Sequence, residues 1–252
     1  MLPIERQVKI KEYLVEKGFA SVEDLSKLFN VSEMTIRRDL DELHKQGLIQ
    51  RIYGGAMAND PAFFEMSVIA KSTQFSHEKE KIGQAAAELV NDGETILMDS
   101  GTTTLEIAKN LKYKKITLIT NALNVAIELA VCPQIEIIVA GGILRKAVLN
   151  TVGPQTESFI NDVRVDKAFI GVEGVHPDTG ISVPDLLNAH SKRVMMSIAH
   201  QSIVVADHSK LGRNTTNKIA SLEDVDMIIT DSKADPSIVK QLQEKTFVKI
   251  IE

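Results

Sequence analysis

The sequence predicts an α/β protein in two parts: a small helical domain ending in a strand, then a larger domain on a mostly parallel sheet. Three observations predict it. Residues 1–56 hold three short amphipathic helical patterns and one strand-like run in close succession. From residue 80 onward, apolar β-branched runs alternate with helical patterns. Between them, residues 57–77 break both periodicities. The expected division is 1–56, a linker over 57–77, and 78–252, the last long enough to bury a sizeable core without staples.

The first helix opens at Pro3, carries Ile10 and Leu14 one turn apart, and meets a stop at Gly18. Ser21 followed by Asp24 resembles a capping box, and the helix it opens is expected to face inward with Leu25, Leu28 and Phe29. Asn30-Val31-Ser32 is a tight turn, with Ser32 placed to cap a third helix whose apolar stripe is Ile36, Leu40 and Leu43. Gly47 ends that helix, and Leu48 to Tyr53 reads as a strand stopped by Gly54-Gly55. The order is that of a winged helix-turn-helix. The inner stripe leaves Glu33, Met34, Thr35, Arg37, Arg38 and Asp41 on or near the outer faces. Arginine can fork onto guanine in a major groove, and threonine can bond a base or touch a thymine methyl.

The run Ser21-Val-Glu-Asp-Leu-Ser-Lys-Leu-Phe-Asn-Val-Ser-Glu-Met-Thr-Ile-Arg-Arg-Asp-Leu40, with the exit Leu48-Ile-Gln-Arg-Ile-Tyr-Gly-Gly-Ala56, closely resembles the N-terminal domain of DeoR-type bacterial transcription regulators. The resemblance implies that the third helix reads operator DNA and that the following hairpin is a wing. It makes Ser32, Thr35, Arg37 and Arg38 candidates at the groove, and Arg51 and Tyr53 candidates at the backbone. Asp39 and Asp41 would repel phosphate, so they are expected to pair with basic neighbours or face away.

In the linker, Asn59-Asp60-Pro61 signals a turn, and Phe63, Phe64 and Met66 are apolar without a helical face. Beyond it, seven strand-like runs stand out: Thr95–Asp99, Ile116–Thr120, Ile135–Ala140, Lys167–Gly171, Ser202–Ala206, Asp226–Thr230 and Val248–Ile251. Open α/β sheets bind ligands beyond the carboxyl ends of their strands. Those ends read Asp99-Ser100-Gly101-Thr102-Thr103-Thr104, Thr120-Asn121, Ala140-Gly141-Gly142 and Asp207-His208-Ser209-Lys210. Hydroxyls, an amide, glycine backbone and a cation are the equipment for a phosphorylated polyol, with an anion favoured at a helix N-terminus.

The DeoR resemblance extends over this region through Gly171-Val-Glu-Gly-Val175 and Thr179-Gly-Ile-Ser182 as well. It implies a Rossmann-like sensor domain similar to ribose-5-phosphate isomerase, and an effector of the phosphorylated-sugar type. Asp99 would bond sugar hydroxyls, Thr102 to Thr104 would hold phosphate, Ser100, Gly101, Asn121, Gly141 and Gly142 would belong to the same site, and Lys210 would supply charge. One departure stands out. Many relatives have an acidic pair before the Lys-Arg of the late helix, whereas this chain reads Asn188-Ala-His-Ser-Lys-Arg193. His190 either alters the effector's contacts or is a surface histidine.

The sequence thus points to a repressor of a sugar or polyol catabolic operon, acting as a homo-oligomer (dimer or tetramer) on double-stranded operator DNA. The alternative is a sugar-phosphate isomerase-like enzyme with a fused DNA-binding domain, Lys210 and Asp99 or Glu173 moving the proton. No catalytic residues are assigned, since no pairing fixes a base. No cofactor is expected, nor a metal: the six histidines and Cys132 lack ligand spacing.

A single cysteine and no apolar leader or membrane-length run suit a cytoplasmic protein. The formal net charge of −5 argues at first sight against DNA. Residues 1–55, however, hold nine basic and nine acidic side chains, so the whole excess lies beyond them.

Overall fold

The computed structural model describes residues 2–17, 19–52, 54–58 and 68–252. Gly18 and Tyr53, and with them Phe63, Phe64 and Met66, lie outside the described residues. The chain divides into two compact units, Met1–Lys71 and Ser72–Glu252.

The first unit runs α1 (Pro3–Lys17), β1 (Phe19–Ser21), α2 (Val22–Phe29), α3 (Glu33–Lys45), β2 (Ile49–Ile52) and β3 (Gly55–Ala58). Its core is Ile10 and Leu14 of α1, Val22 and Leu25 of α2, Ile36, Leu40 and Leu43 of α3, and Ile49 of β2. The expected stripes of α1 and α3 are therefore the buried ones. Leu28 is a correction: it is 54% exposed, because Val22, Leu25 and Phe29 complete the inward stripe of α2 and Leu28 sits on its flank. The three strands form an antiparallel sheet in the order β1-β3-β2. β1 was not legible in the sequence, being three residues long. Residues 57 and 58 of the stretch read as linker belong to β3, and a short helix, α4 (Val68–Ser72), lies within it too.

The second unit begins with α5 (Ser76–Ala87), then β4 (Thr95–Met98), α6 (Thr102–Asn110), β5 (Ile116–Thr120), α7 (Leu123–Leu129) and β6 (Ile135–Val139). A hairpin, β7 (Ile143–Arg145) and β8 (Asn150–Val152), leads to α8 (Pro154–Asn161) and β9 (Val165–Gly171). β10 (Gly174–His176), β11 (Gly180–Val183), α9 (Leu186–Ser197), β12 (Ala199–Val205), β13 (Asn217–Ala220), β14 (Met227–Asp231), α10 (Pro236–Gln243) and β15 (Phe247–Ile251) complete it. All seven runs read from the sequence are strands of one parallel sheet, in the order β15-β14-β12-β9-β4-β5-β6. Each is an apolar β-branched run because both faces of the sheet are covered. Ile96, Met98, Leu118 and Ile203 pack with α5, α6 and α7; Leu97, Ile119, Val204 and Ile228 pack with α8, α9 and α10.

The chain starts this sheet near its middle. β4, β5 and β6 run outward one way; the chain then returns, lays β9 against the other side of β4, and builds outward again to β15. The order reverses between β4 and β9, which makes their carboxyl ends the topological switch point.

Candidate DNA-reading helix and effector site

Ser32 caps α3 by accepting the Thr35 amide at 3.2 Å, and its hydroxyl meets that of Thr35 at 2.9 Å. That bond holds Thr35, which is half-buried, at the start of the helix. Arg37 and Arg38 are exposed, Arg37 reaching back one turn to Glu33 at 3.1 Å. The acidic residues are disposed of in two ways. Asp39 is buried against α1, where the Arg6 guanidinium donates to it at 2.5 and 3.2 Å and the Gln7 amide at 3.3 Å. Asp41 is exposed and lies 3.6 Å from Arg51 of β2. Arg51 is therefore half-buried and partly neutralised, less free than a residue expected to reach a DNA backbone.

In the second unit the sheet's pleat determines what meets at the switch point. Successive side chains alternate between faces. Leu97 and Ile119 belong to the layer packed on α8–α10, so Asp99 and Asn121, two residues on, emerge on that same face. There Asp99 is 1% exposed and meets Lys192, a buried residue of α9. The carboxylate is fully engaged. Oδ1 accepts from the Gly101 amide at 2.9 Å and the Thr104 hydroxyl at 3.0 Å; Oδ2 accepts from the Gly171 amide at 2.8 Å and from Lys192. Two carboxylate oxygens offer about four acceptor sites: two amides and Lys192 fill three, and the single Thr104 proton is shared between the fourth and the Gly101 carbonyl at 2.7 Å.

Asp99 thus acts as a clamp between the ends of β4 and β9 and the body of α9. The two strand ends approach closely here: a Cβ on Gly171 would lie 3.3 Å from the Gly101 Cα, so the neighbouring backbone would have to give by a few tenths of an ångström.

Ser100, Thr102 and Thr103 are buried at the opening of α6, and their hydroxyls take no part in this clamp. No side chain caps the helix, whose N-cap is Gly101. Thr104 is consumed internally, bonding Asp99 and the Gly101 carbonyl. Asn121 is 1% exposed and donates to the Thr151 carbonyl at 2.8 Å. Gly141 and Gly142 lie exposed before β7, and Thr156 of α8 donates to the Gly141 carbonyl at 2.7 Å. Lys210 stands in a one-turn 3-10 helix, His208–Lys210, and bonds Glu173 at 2.8 Å, so its charge is already matched. His190 pairs with Glu157 of α8 at 2.8 Å and is half exposed, a bond between neighbouring helices. Among the described residues no cluster of histidine, cysteine or carboxylate could hold a metal ion, and no helix is long and apolar enough to cross a membrane.

Residues 6–62 match the family described as the DeoR-like helix-turn-helix domain, and residues 74–232 match the DeoR C terminal sensor domain. The chain belongs to the DeoR family. This DeoR-family chain is 35% identical over 245 residues to the glycerol-3-phosphate regulon repressor of Shigella flexneri, covering 97% of each. It is 37% identical over 230 residues to the putative aga operon transcriptional repressor of Escherichia coli O157:H7, covering 90% of this chain and 86% of that one. Among solved structures, ribose 5-phosphate isomerase A from Methanocaldococcus jannaschii is similar to 52% of the DeoR-family chain over 52% of its own length, at 19% identity and a TM-score of 0.39.

Lys192 was not among the residues singled out from the sequence of this DeoR-family protein. It sits in a helical pattern beside Arg193, where a lysine reads as a solvated face; only its partner 93 residues upstream marks it as buried. Asn150 and Asn188 escaped for a related reason. β8 is too short to read as a strand, and Asn188 passes for an ordinary residue of a helix's first turn.

Proposed function

We propose that this protein is an effector-controlled repressor whose α3 reads operator DNA in the major groove and whose sensor domain binds a phosphorylated sugar or polyol. Thr35, Arg37 and Arg38 make the base contacts, Ser32 positions Thr35, and Arg51 approaches the backbone, with Tyr53 beside it in the sequence. The phosphate sits at the N-terminus of α6, against the hydroxyls of Ser100, Thr102 and Thr103 and the backbone at Gly101; Gly141, Gly142, Asn121 and Lys210 border the same sheet edge. One observation carries the reading: the Asp99–Lys192 clamp holds uncapped helix amides and unengaged hydroxyls at the switch point of a chain that also carries a reading head. The relatives support it, being named as repressors of a glycerol-3-phosphate regulon and an aga operon. With one reading head per chain, a homo-oligomer presents two heads to half-sites related by whole helical turns. Effector and operator affinities are then reciprocally linked.

The isomerase reading has less support. A base must reach the substrate carbon, yet Asp99 is engaged by two amides, Lys192 and a shared Thr104 proton, and Glu173 is tied to Lys210. Titrating the protein with an operator selected from a random duplex pool, against a shuffled duplex at about 0.15 M salt, tests the main reading, because nonspecific binding is mostly counterion release. Equal affinities for both duplexes sink it, and turnover of pentose or hexose phosphates would reinstate the enzyme.

A further inference from the structure

Beside the clamp lies a second group of buried polar side chains whose chemistry differs from that of the phosphate end. Asn121, Asn150, Asn188 and Ser191 are each no more than 3% exposed. The chain brings them together from three directions. Asn121 follows β5 and holds β8 through Thr151, whose amide donates to the Asn121 carbonyl at 2.9 Å. Asn150, on β8, donates to the Asn188 side chain at 3.4 Å. Asn188 and Ser191 stand one turn and one residue before Lys192 on α9. Among the described residues, the side-chain oxygens of Asn121 and Asn150 and the Ser191 hydroxyl have no hydrogen-bond partner.

For Asn121 the unengaged end follows from its neighbour: the Thr151 carbonyl can only accept, so Asn121 must give it the NH2 group and leave its oxygen over. Asn150 turns its NH2 to the Asn188 oxygen, and in that arrangement its own oxygen is left over. Buried acceptors without donors are costly, and buried polar groups of native proteins almost always find partners. These acceptors call for a donor. The charges of Lys192, Lys210 and Arg145 are matched by Asp99, Glu173 and, at 3.2 Å, Asp185, and none of the three bonds these acceptors.

We infer that Asn121, Asn150, Asn188 and Ser191 form a neutral subsite that selects an uncharged, hydroxyl-bearing end of the effector and rejects a carboxylate there. The inference rests on the reading that the phosphate sits at α6. A hydroxyl donates to an amide oxygen and accepts from Ser191. A carboxylate brings only acceptors to amide oxygens that offer it no proton, and Lys192, Lys210 and Arg145 already have their counter-charges. The effector class is therefore a sugar or polyol phosphate, and not the matching phosphorylated acid.

The test compares ligands differing only in that group, by calorimetric titration of the full chain: glycerol 3-phosphate against 3-phosphoglycerate, and glucitol 6-phosphate against 6-phosphogluconate, with inorganic phosphate as the anchor alone. In at least one pair the alcohol is expected to bind at least about tenfold tighter than the acid, the worth of one or two buried hydrogen bonds. Asn150→Ala and the milder Asn188→Ser are expected to bring the two within about threefold, with binding of inorganic phosphate, circular dichroism and operator affinity unchanged. Equal binding or preference for the acid overturns the inference, as does a preference that survives both folded variants. If neither inorganic phosphate nor any phosphorylated probe binds, the phosphate reading itself fails, and the subsite falls with it.

Discussion

Asp99→Asn isolates the ion pair that closes the switch point. Asp99 and Lys192 have side chains only 1% and 4% exposed, so the variant leaves an ammonium buried without its counter-charge. Breaking one side of such a pair costs about 3–5 kcal/mol. Lys192→Met leaves a different remainder. The Asp99 carboxylate keeps the Gly101 and Gly171 amides at 2.9 and 2.8 Å and a share of the Thr104 proton, and so stays largely solvated by the protein. Its cost is expected to be smaller, about 1–3 kcal/mol.

The double variant removes both charges and should be destabilised by less than the sum of the two single changes, with a coupling of about 1–3 kcal/mol. The assay is urea unfolding of the full chain followed on the transition of the sensor domain, with Tm read in parallel. For a domain of this size 1 kcal/mol moves Tm by roughly 2–4 °C, so Asp99→Asn should lower it by roughly 10 °C. Additive single changes, or a cost below about 1 kcal/mol for Asp99→Asn, would refute the claim that one carboxylate organises this edge.

Four further outcomes follow from named contacts. Asp39→Ala strands the buried Arg6 guanidinium and should cost the reading head about 3–5 kcal/mol, read as loss of operator binding with probe binding intact; a stable, binding-competent variant contradicts it. Arg38→Ala should cut discrimination between operator and shuffled duplex by about 1–3 kcal/mol, whereas Arg51→Ala weakens both alike and lowers the salt slope by about 1; the opposite pattern refutes the assignment. Gly142 has φ +152°, and a Cβ there would lie 2.1 Å from the Thr156 hydroxyl and 2.8 Å from the Val152 carbonyl, so Gly142→Ala should cost about 1–3 kcal/mol, and a Tm equal to wild type rejects this. Hydrogen bonding to Lys233 holds the Glu78 carboxyl below its ordinary 4.5, so its stabilisation is full above pH 4.5 and fades as pH falls through the lower folded value. The Tm deficit of Glu78→Gln should therefore shrink below that pH, and a constant deficit would argue otherwise.

Much of this was legible in the sequence because burial leaves a period. The Ile36, Leu40 and Leu43 stripe gave α3, and two-sided burial gave all seven strands of the sheet as continuous apolar runs. What stayed hidden was partnership at a distance. The clamp role of Asp99 was not visible because its partners at Thr104, Gly171 and Lys192 are found only once the sheet is assembled. Lys210 looked like an unmatched charge for the same reason, its partner Glu173 lying beyond β9. The small strands β7, β8, β10, β11 and β13 were missed because three or four residues are too few to show alternation.

The reversal of strand order at β4 also imposes a sequence of events on a growing chain. The core of the reading head uses only residues up to Ala56, and its contacts can close soon after these have emerged. β4 cannot acquire its second neighbour until Val165–Gly171 has been made, and the Lys192 that locks Asp99 comes later still. Domains generally fold in the order in which they are synthesised. Each newly made chain therefore carries a formed reading head for an interval before it owns a sensor able to answer an effector.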